Sequence, residues 1–372
     1  MPAPDRPLRI AFHAPLKSPD HPVPSGDRKM ARQLVGALRD AGHEVEILSQ
    51  MRAHLPDPED RGLWQQLRQE AASEIARIEA QWRDQPPDLL FCYHPYYKSP
   101  DLIALPLALR HGLPYVTCEA SLSQRRNIGI WAESQTHAQD AVATAAVNLC
   151  LTSRDAAGLA QAVPGARLAR LLPFIDTSPF AAAPRPIPGH LIAVAMMRRG
   201  DKLESFRHLA MALGDLPASC DWRLRVAGDG PAAAEVKALF SALPPGRVNW
   251  LGALPSDQVA ALLSRGAVYV WPGVGEAYGL AYLEAQAAGL PVVAYRTAGV
   301  PEVVCETAAG TLLPMGDHAG LAAAVAALIA DPAGAAGRGD LARERVRAHH
   351  SLAAATARLD DVVRGVMRDR GM

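Results

Sequence analysis

The sequence predicts an α/β protein with two doubly wound domains, each built on a parallel sheet. Twice along the chain, a short apolar run is followed by a polar loop, a helical pattern and a second apolar run, first in residues 8–49 and again in residues 190–227. This order is typical of the β–loop–α–β unit that opens a doubly wound sheet. A length of 372 residues suits two domains of ordinary size.

Apolar periodicity predicts the elements of the first domain in turn. The run RKMARQLVGALRDAG places Met30, Leu34 and Leu38 on one helical face and ends at Gly42. Residues 58–86 repeat apolar positions at helical spacing, so their charges are interpreted as a solvated face. The runs DLLFCYH, LPYVTCEAS and VNLCLTS have the continuous apolar character of buried parallel strands. No G-x-G-x-x-G follows the first strand, which argues against a dinucleotide site.

A proline-rich segment, AAAPRPIPG at residues 181–189, is predicted to link the two domains. The first domain then covers residues 1–180 and the second covers residues 190–352. In the second domain, HLIAVAMM, WRLRVAGDGP, RVNWLGALP, GAVYV and PVVAY are predicted to contain strands. The last residues, 353–372, continue a helical pattern.

Composition excludes several classes of protein. Lysine plus arginine and aspartate plus glutamate each number 38, so the sequence carries no electrostatic signature of nucleic-acid binding. The five cysteines include no C-x-x-C pair, which argues against a zinc site or a disulfide framework and favours a reducing cytoplasm. The N-terminus lacks the apolar region of a signal peptide, and no run has the length of a membrane span. Peripheral contact with the inner face of a membrane stays open.

The stretch from Trp271 to Ala294, WPGVGEAYGLAYLEAQAAGLPVVA, predicts a ligand site. A helix starts near Tyr278 and Gly279, is apolar nearly all round and is predicted to be buried, yet it carries Glu284. A carboxylate in such a place needs a hydrogen-bonding partner. A helix start with a glycine is an anion site, and Glu276 lies in the loop before it. A diphosphate between two hydroxyl-rich sugars, as in a nucleotide-sugar, would satisfy all three groups.

This stretch resembles the E-x7-E motif of retaining family 4 glycosyltransferases. The resemblance implies that Glu276 holds hydroxyls of the transferred sugar and that Glu284 binds the ribose of the nucleotide. It also implies that the amides around Gly279 and Leu280 face the diphosphate. The alternatives are a buried glutamate paired with a base for Glu284 and a solvated loop residue for Glu276.

Three cations follow the first strand of the second domain: Arg198, Arg199 and Lys202. Because like charges repel, a shared anion is the simplest reason for the cluster. The segment resembles the family's G-R-x(n)-K-G pattern, whose Arg and Lys grip the donor diphosphate. Methionine stands where that Arg usually falls, so Arg198 and Lys202 are the pair predicted to bind the diphosphate. The role of Arg199 stays open. The alternative for all three cations is a solvated loop.

Two further turns of the second domain complete the resemblance. Gly228 and Gly230 resemble the family's G-x-G-P turn near the nucleotide. The loop from Gly252 to Leu254 resembles its base-contacting segment, in which backbone groups make the contacts. The nucleotide base therefore stays open, with a UDP-sugar or a GDP-sugar as the expected donor.

The first domain supplies the predicted acceptor side. Gly26, in the Ser25-Gly26 pair, resembles the glycine-bearing loop that the family points at the donor, although a plain helix entry fits equally. His94 and Glu119 end two predicted strands, where doubly wound sheets place ligands. Many relatives have His where this chain has Glu119. That residue could orient the acceptor, act as a base or cap the next helix.

The resemblance implies the GT-B fold, two Rossmann-like domains facing each other across a cleft, with residues 353–372 crossing back to the first domain. It also implies glycosyl transfer with retention at the anomeric carbon, without a divalent metal or other cofactor. The acceptor is expected to be a sugar or polysaccharide, a lipid or a small metabolite. Two alternatives stay open: a nucleotide-sugar epimerase or hydrolase on the same fold, and a non-catalytic sugar-nucleotide-binding protein.

Overall fold

A computed structural model describes residues 6–23, 25–306 and 310–371. The start of the predicted first domain, residues 1–5, lies outside the described residues. Within the described ranges, the chain forms two compact units, one of residues 1–172 with 355–372 and one of residues 173–354. The first unit thus ends a few residues before the predicted position 180, and its second segment starts at Ala355.

The first unit contains a parallel sheet in the order β2-β1-β3-β4-β5-β6. Its strands are β1 Arg9–His13, β2 Glu44–Ile47, β3 Leu89–Tyr93, β4 Tyr115–Cys118, β5 Val147–Cys150 and β6 Leu168–Arg170. The helices between them are α1 Gly26–Asp40, α2 Arg61–Gln81, α3 Ala104–His111, α4 Gly129–Thr144 and α5 Ser153–Ala162.

The second unit contains a parallel sheet in the order β12-β11-β10-β7-β8-β9. Its strands are β7 His190–Val194, β8 Arg223–Ala227, β9 Val248–Trp250, β10 Val268–Val270, β11 Val292–Tyr295 and β12 Gly310–Leu313. Its helices are α6 Asp201–Gly214, α7 Ala233–Leu239, α8 Ser256–Leu263, α9 Leu280–Ala287, α10 Val300–Val303, α11 His318–Ala330 and α12 Pro332–His349. The last helix is α13, Leu352–Asp369.

Local sequence explains where these elements begin and end. The Ser25 side chain accepts a hydrogen bond from the backbone N–H of Arg28 and so caps α1, while Met30 and Leu34 bury its apolar face. All five residues of β3 are buried, as expected for a central strand of a parallel sheet. The predicted α/β class with two doubly wound sheets is therefore confirmed.

The two sheets reverse their strand order at different places. In the first unit the order 2-1-3-4-5-6 reverses between β1 and β3. In the second unit, read from β9 to β12, the order is 3-2-1-4-5-6 and the reversal falls between β7 and β10. Ligands of doubly wound sheets bind beyond the carboxyl ends of the two strands at such a reversal. Each unit therefore has one favoured ligand position.

No single helix among the described residues is both long and apolar enough to cross a bilayer. Helices α11 and α12, which meet at an angle of 105°, reach the length and apolar composition of a membrane span only when the two are taken together.

Candidate functional site

Predicted site residues of the second unit follow the two strands at its reversal. Strands β7 and β10 lie side by side, with Leu191 opposite Val268. Arg198 and Lys202 come after β7, and Glu276 comes after β10. The sheet therefore brings these residues to the position where the architecture favours a ligand.

Lys202 and Glu276 are in direct contact. The Lys202 ammonium pairs with Oε1 of Glu276, and both side chains are mostly buried. The indole Nε1 of Trp271 donates a hydrogen bond to the same carboxylate oxygen at 3.1 Å. The Lys202 Nζ atom also lies 5.6 Å from the centre of the Trp271 ring. One cation and one N–H donor thus compensate the burial of the Glu276 carboxylate.

Helix α9 begins at a glycine for two physical reasons. Gly279 has a φ of 74°, and a Cβ added there would lie 2.7 Å from the ring of Tyr282. Because glycine has no side chain, the first-turn N–H groups, beginning at Leu280, have no side-chain cap. Oε2 of Glu276 lies 3.8 Å from the position of that Cβ, so the carboxylate borders the helix start. Tyr278, just before Gly279, is buried.

Glu284 lies one turn into α9 and is half-buried. It is less buried than the apolar surroundings predict, because Leu280, Ala281 and Glu284 form a partly exposed side of the helix. Tyr269, on β10, is buried, and its hydroxyl donates a hydrogen bond to the Val194 carbonyl oxygen at 3.3 Å. Burial raises the pKa of Tyr269, and the negative charges of Glu276 and Glu284 raise it further.

The two arginines after β7 have different surroundings. Arg199 Nη2 lies 2.7 Å from Oε1 of Glu235 on α7, in an exposed ion pair. Arg198 is also exposed. Because Arg199 is engaged by Glu235, the structure favours Arg198 as the arginine available to an anion.

The glycine turn after β8 packs directly on the backbone after β7. A Cβ added to Gly228 would lie 1.8 Å from the carbonyl oxygen of Ala195. The backbone N–H of Gly228 donates to the Gly252 carbonyl at 2.7 Å, which ties this turn to the loop carrying Leu254. Leu254 itself is half-buried. The structure thus brings the predicted nucleotide-side turns to one edge of the sheet.

In the first unit, His94 and Glu119 follow adjacent strands, β3 and β4, with left-handed backbones. Both have a φ of 59°, yet each keeps a sheet hydrogen bond, from His94 N to Cys118 O and from Glu119 N to Leu149 O. Such strain costs about 1–3 kcal/mol per residue and is found at functional sites. The sheet therefore holds His94 at the reversal of the first unit and Glu119 one strand further along.

An aspartate near the start of α1 completes this group. Asp27 Oδ1 lies 3.3 Å from Nδ1 of His94, and the Tyr93 hydroxyl donates to Glu119 at 3.0 Å. Burial alone lowers the pKa of His94, but the Asp27 and Glu119 carboxylates outweigh it, and the pKa is raised above its ordinary value. Burial raises the pKa of Glu119, against the opposing effects of His94 and Tyr93.

Gly26 precedes Asp27 as the first residue of α1. It is exposed, and a Cβ added there would meet nothing within 4 Å. Space alone does not require glycine at this position, which contrasts with Gly228 and Gly279.

Comparison with known proteins agrees with this architecture. Residues 189–331 match the sequence model of the family described as Glycosyl transferases group 1. This part of the second unit is therefore similar to the group 1 glycosyltransferases. The resemblance drawn from the E-x7-E stretch is confirmed, because Glu276 and Glu284 lie inside the matched region.

One curated protein similar to this chain is the 2-deoxystreptamine glucosyltransferase of Streptomyces kanamyceticus. It is 32% identical over 167 residues, which cover 43% of this chain and 43% of that protein. The chain spans less than half the length of the first curated relatives that it matches.

Two solved structures extend the likeness to both units. Sucrose-phosphate synthase from Thermosynechococcus elongatus superposes with a TM-score of 0.76 at 20% identity, covering 97% of this chain and 100% of that one. HepE of Anabaena, in complex with UDP, superposes with a TM-score of 0.73 at 13% identity, covering 96% of this chain and 100% of that one. At these identities the likeness shows the fold, which is GT-B with two Rossmann-like domains.

Sequence reasoning missed one residue in each of the two candidate sites. Trp271 directly follows the predicted strand GAVYV, and an indole N–H five residues before a carboxylate is a signal that could have found it. Asp27 gives no distinct signal in the sequence, because an acid in the first turn of a helix usually interacts with the helix dipole. Only the three-dimensional structure places them beside Glu276 and His94.

Among the described residues, no group of three or more His, Cys, Asp or Glu side chains is arranged to hold a metal ion. Metal-independent chemistry stays a prediction.

Proposed function

We propose that this protein transfers a sugar from a nucleotide-diphospho-sugar to a hydroxyl group of an acceptor, with retention at the anomeric carbon. The observation that carries the proposal is the contact of Lys202 with Glu276 beside the open start of α9. A cation, free helix amides and a carboxylate in one place suit a diphosphate joined to a sugar. The match to the group 1 glycosyltransferases supports this reading.

The diphosphate is assigned to Lys202, Arg198 and the amides of Gly279 and Leu280. Arg199 is left out because Glu235 already engages it. On either side of the diphosphate, the sugar hydroxyls are assigned to Glu276 and the ribose to Glu284.

The remaining nucleotide contacts are assigned to backbone groups of the turns at Gly228 and Leu254. Tyr278 flanks the helix start and is assigned to the donor pocket. Because backbone groups would contact the base, the side chains do not select between uracil and guanine.

The acceptor is assigned to the first unit, where His94 lies at the reversal of the sheet, Glu119 follows the neighbouring strand and Gly26 precedes Asp27. The proposed acceptor is a sugar or polysaccharide, a lipid or a small metabolite. A relative named for 2-deoxystreptamine supports including small polyhydroxylated acceptors in any panel.

In the proposed reaction, the bond between the anomeric carbon and the diphosphate oxygen breaks, and a bond to the acceptor oxygen forms on the same face. The acceptor proton passes to the departing diphosphate, as the resemblance implies. Lys202, Arg198 and the helix amides stabilise the charge that develops on this leaving group. No metal ion is assigned, so activity is expected to persist in EDTA.

The first test is the thermal stability of the protein with UDP, GDP, ADP and their common sugar conjugates. A ligand that binds only the folded state stabilises it by about 2.7 kcal/mol at one hundred times its Kd. We expect a shift with one base, which Glu284→Ala reduces. A folded sample that no nucleotide stabilises would contradict the proposal. Formation of an altered or hydrolysed sugar nucleotide without any acceptor would favour an epimerase or hydrolase.

A further inference from the structure

We propose that Trp271 is a positioning residue that fixes the orientation of Glu276 toward the transferred sugar. This inference rests on the proposed function. It goes beyond the motif residues, because it assigns a role to the indole N–H of a side chain at the end of β10.

The Trp271 side chain is held firmly. It is 1% exposed, and its ring packs edge-on against Phe206 with 4.8 Å between centroids. Its backbone N–H donates to Val293 O, and its carbonyl accepts from the hydroxyl of Tyr282. Backbone and ring are therefore fixed independently of Glu276, as a positioning group requires.

The hydrogen bond from Trp271 selects one of the two carboxylate oxygens of Glu276. Nε1 of Trp271 donates to Oε1, which also pairs with Lys202. The other oxygen, Oε2, borders Gly279 at the start of α9. One oxygen is thus anchored within the protein while the other lies toward the proposed donor.

The need for Trp271 increases when the donor binds. Lys202 is assigned to the diphosphate. When the donor binds, the Lys202 ammonium therefore interacts with the diphosphate charge as well as with Glu276. The Glu276 carboxylate is repelled by the same charge. Within the described ranges of the chain, the single N–H of Trp271 donates to Oε1 of Glu276, and it keeps holding that oxygen when the donor binds. It therefore keeps Glu276 beside the sugar.

The test compares Trp271→Phe with Trp222→Phe. Both tryptophans are buried in the second unit, but Trp222 precedes β8 at the amino-terminal end of the sheet. Dissociation constants are measured by calorimetry for UDP and UDP-glucose, or for the corresponding pair if wild type prefers another base. Trp271→Phe is expected to weaken sugar-nucleotide binding about 10–150-fold, the effect of one hydrogen bond to a charged group. The dissociation constant for the free nucleotide is expected to change less than twofold in Trp271→Phe. In Trp222→Phe, neither dissociation constant is expected to change.

A double-mutant cycle decides whether Trp271 acts through Glu276. In a Glu276→Ala background the effect of Trp271→Phe is expected to fall below twofold, because no side-chain oxygen is left to accept the indole hydrogen bond. Equal losses for nucleotide and sugar nucleotide, or an undiminished effect in the Glu276→Ala background, would overturn the inference. Wild type that binds no nucleotide would overturn the proposed function, and the inference with it.

A second measurement covers the case in which Trp271→Phe does not fold. The indole N–H signals of the six tryptophans are followed by NMR in wild type and in Glu276→Ala. One signal is expected to shift in the variant and, in wild type, to respond more to UDP-glucose than to UDP. If no indole signal responds to Glu276→Ala, the hydrogen bond is absent in solution and the inference is wrong.

Discussion

Both units place their candidate site residues beyond the carboxyl ends of parallel strands, but the two candidate sites use different chemical groups. In the second unit, glycines such as Gly228 and Gly279 let backbone groups approach closely at the reversal of the sheet. In the first unit, the side chains of His94 and Glu119 project from strained, non-glycine backbone. Backbone amides recognise a feature shared by all nucleotide-sugars, the diphosphate. Side chains can differ from one protein to the next, which suits an acceptor that differs as well.

The largest expected effect concerns the close backbone packing at a glycine of the second unit. Gly228→Ala is expected to lower the free energy of unfolding by more than about 3 kcal/mol, since the new Cβ would lie 1.8 Å from the Ala195 carbonyl oxygen at a φ of 141°. Urea unfolding measures it. The matched control is Gly337→Ala on α12, where nothing lies within 4 Å and the helix interior should gain up to about 1 kcal/mol. Similar losses of unfolding free energy in both variants would show that close packing at Gly228 does not cause the destabilisation.

This contrast also explains how much the sequence could predict. The strands, the helices and the second-unit site were predictable, because glycine spacing, apolar runs and the E-x7-E stretch are local signals. The contact between Lys202 and Glu276 depends on β7 and β10 becoming neighbours, although 74 positions separate the two residues. The pairing of Asp27 with His94 depends in the same way on β1 lying beside β3. Such contacts follow from strand order, which local patterns do not specify.

The next effect separates the ligands of the two units. Glu284→Ala is expected to weaken nucleotide binding about 10–100-fold, because it removes hydrogen bonds from a charged group to the ribose. Glu119→Ala in the first unit is expected to leave nucleotide affinity within twofold of wild type and to raise the KM for the acceptor. Calorimetry with the preferred nucleotide, followed by initial rates, measures both. Unchanged nucleotide affinity in Glu284→Ala would show that the ribose is placed wrongly.

A smaller effect concerns the charged pair in the first unit. The pKa of His94 is raised above 6.5, so its contribution to stability is complete below pH 6.5 and is lost as pH rises through the raised value. The pKa of Asp27 is lowered from 3.8, chiefly by His94, so its contribution is present above that pH and is lost in acid. Asp27→Asn is therefore expected to reduce stability by about 0.5–1 kcal/mol near pH 5–6, after discounting for solvent screening. The same variant is expected to match wild type near pH 9. Urea unfolding at both pH values measures this, and a loss independent of pH would contradict the ion pair.

The last comparison, within the second unit, distinguishes the two arginines after β7. Arg198→Ala is expected to raise the KM for the donor about tenfold, since a cation that contacts the diphosphate contributes a charge-assisted hydrogen bond. Arg199→Ala is expected to change it less than twofold, because Glu235 holds that guanidinium at the surface. Initial rates at varied donor concentration measure both variants, and Glu235→Ala serves as the control for the loss of the ion pair. If Arg199→Ala had the larger effect, Glu235 would have to release the arginine when the donor binds. The exposed pair would then belong to the donor site, and the second unit would depend on a side-chain rearrangement as well as on fixed backbone amides.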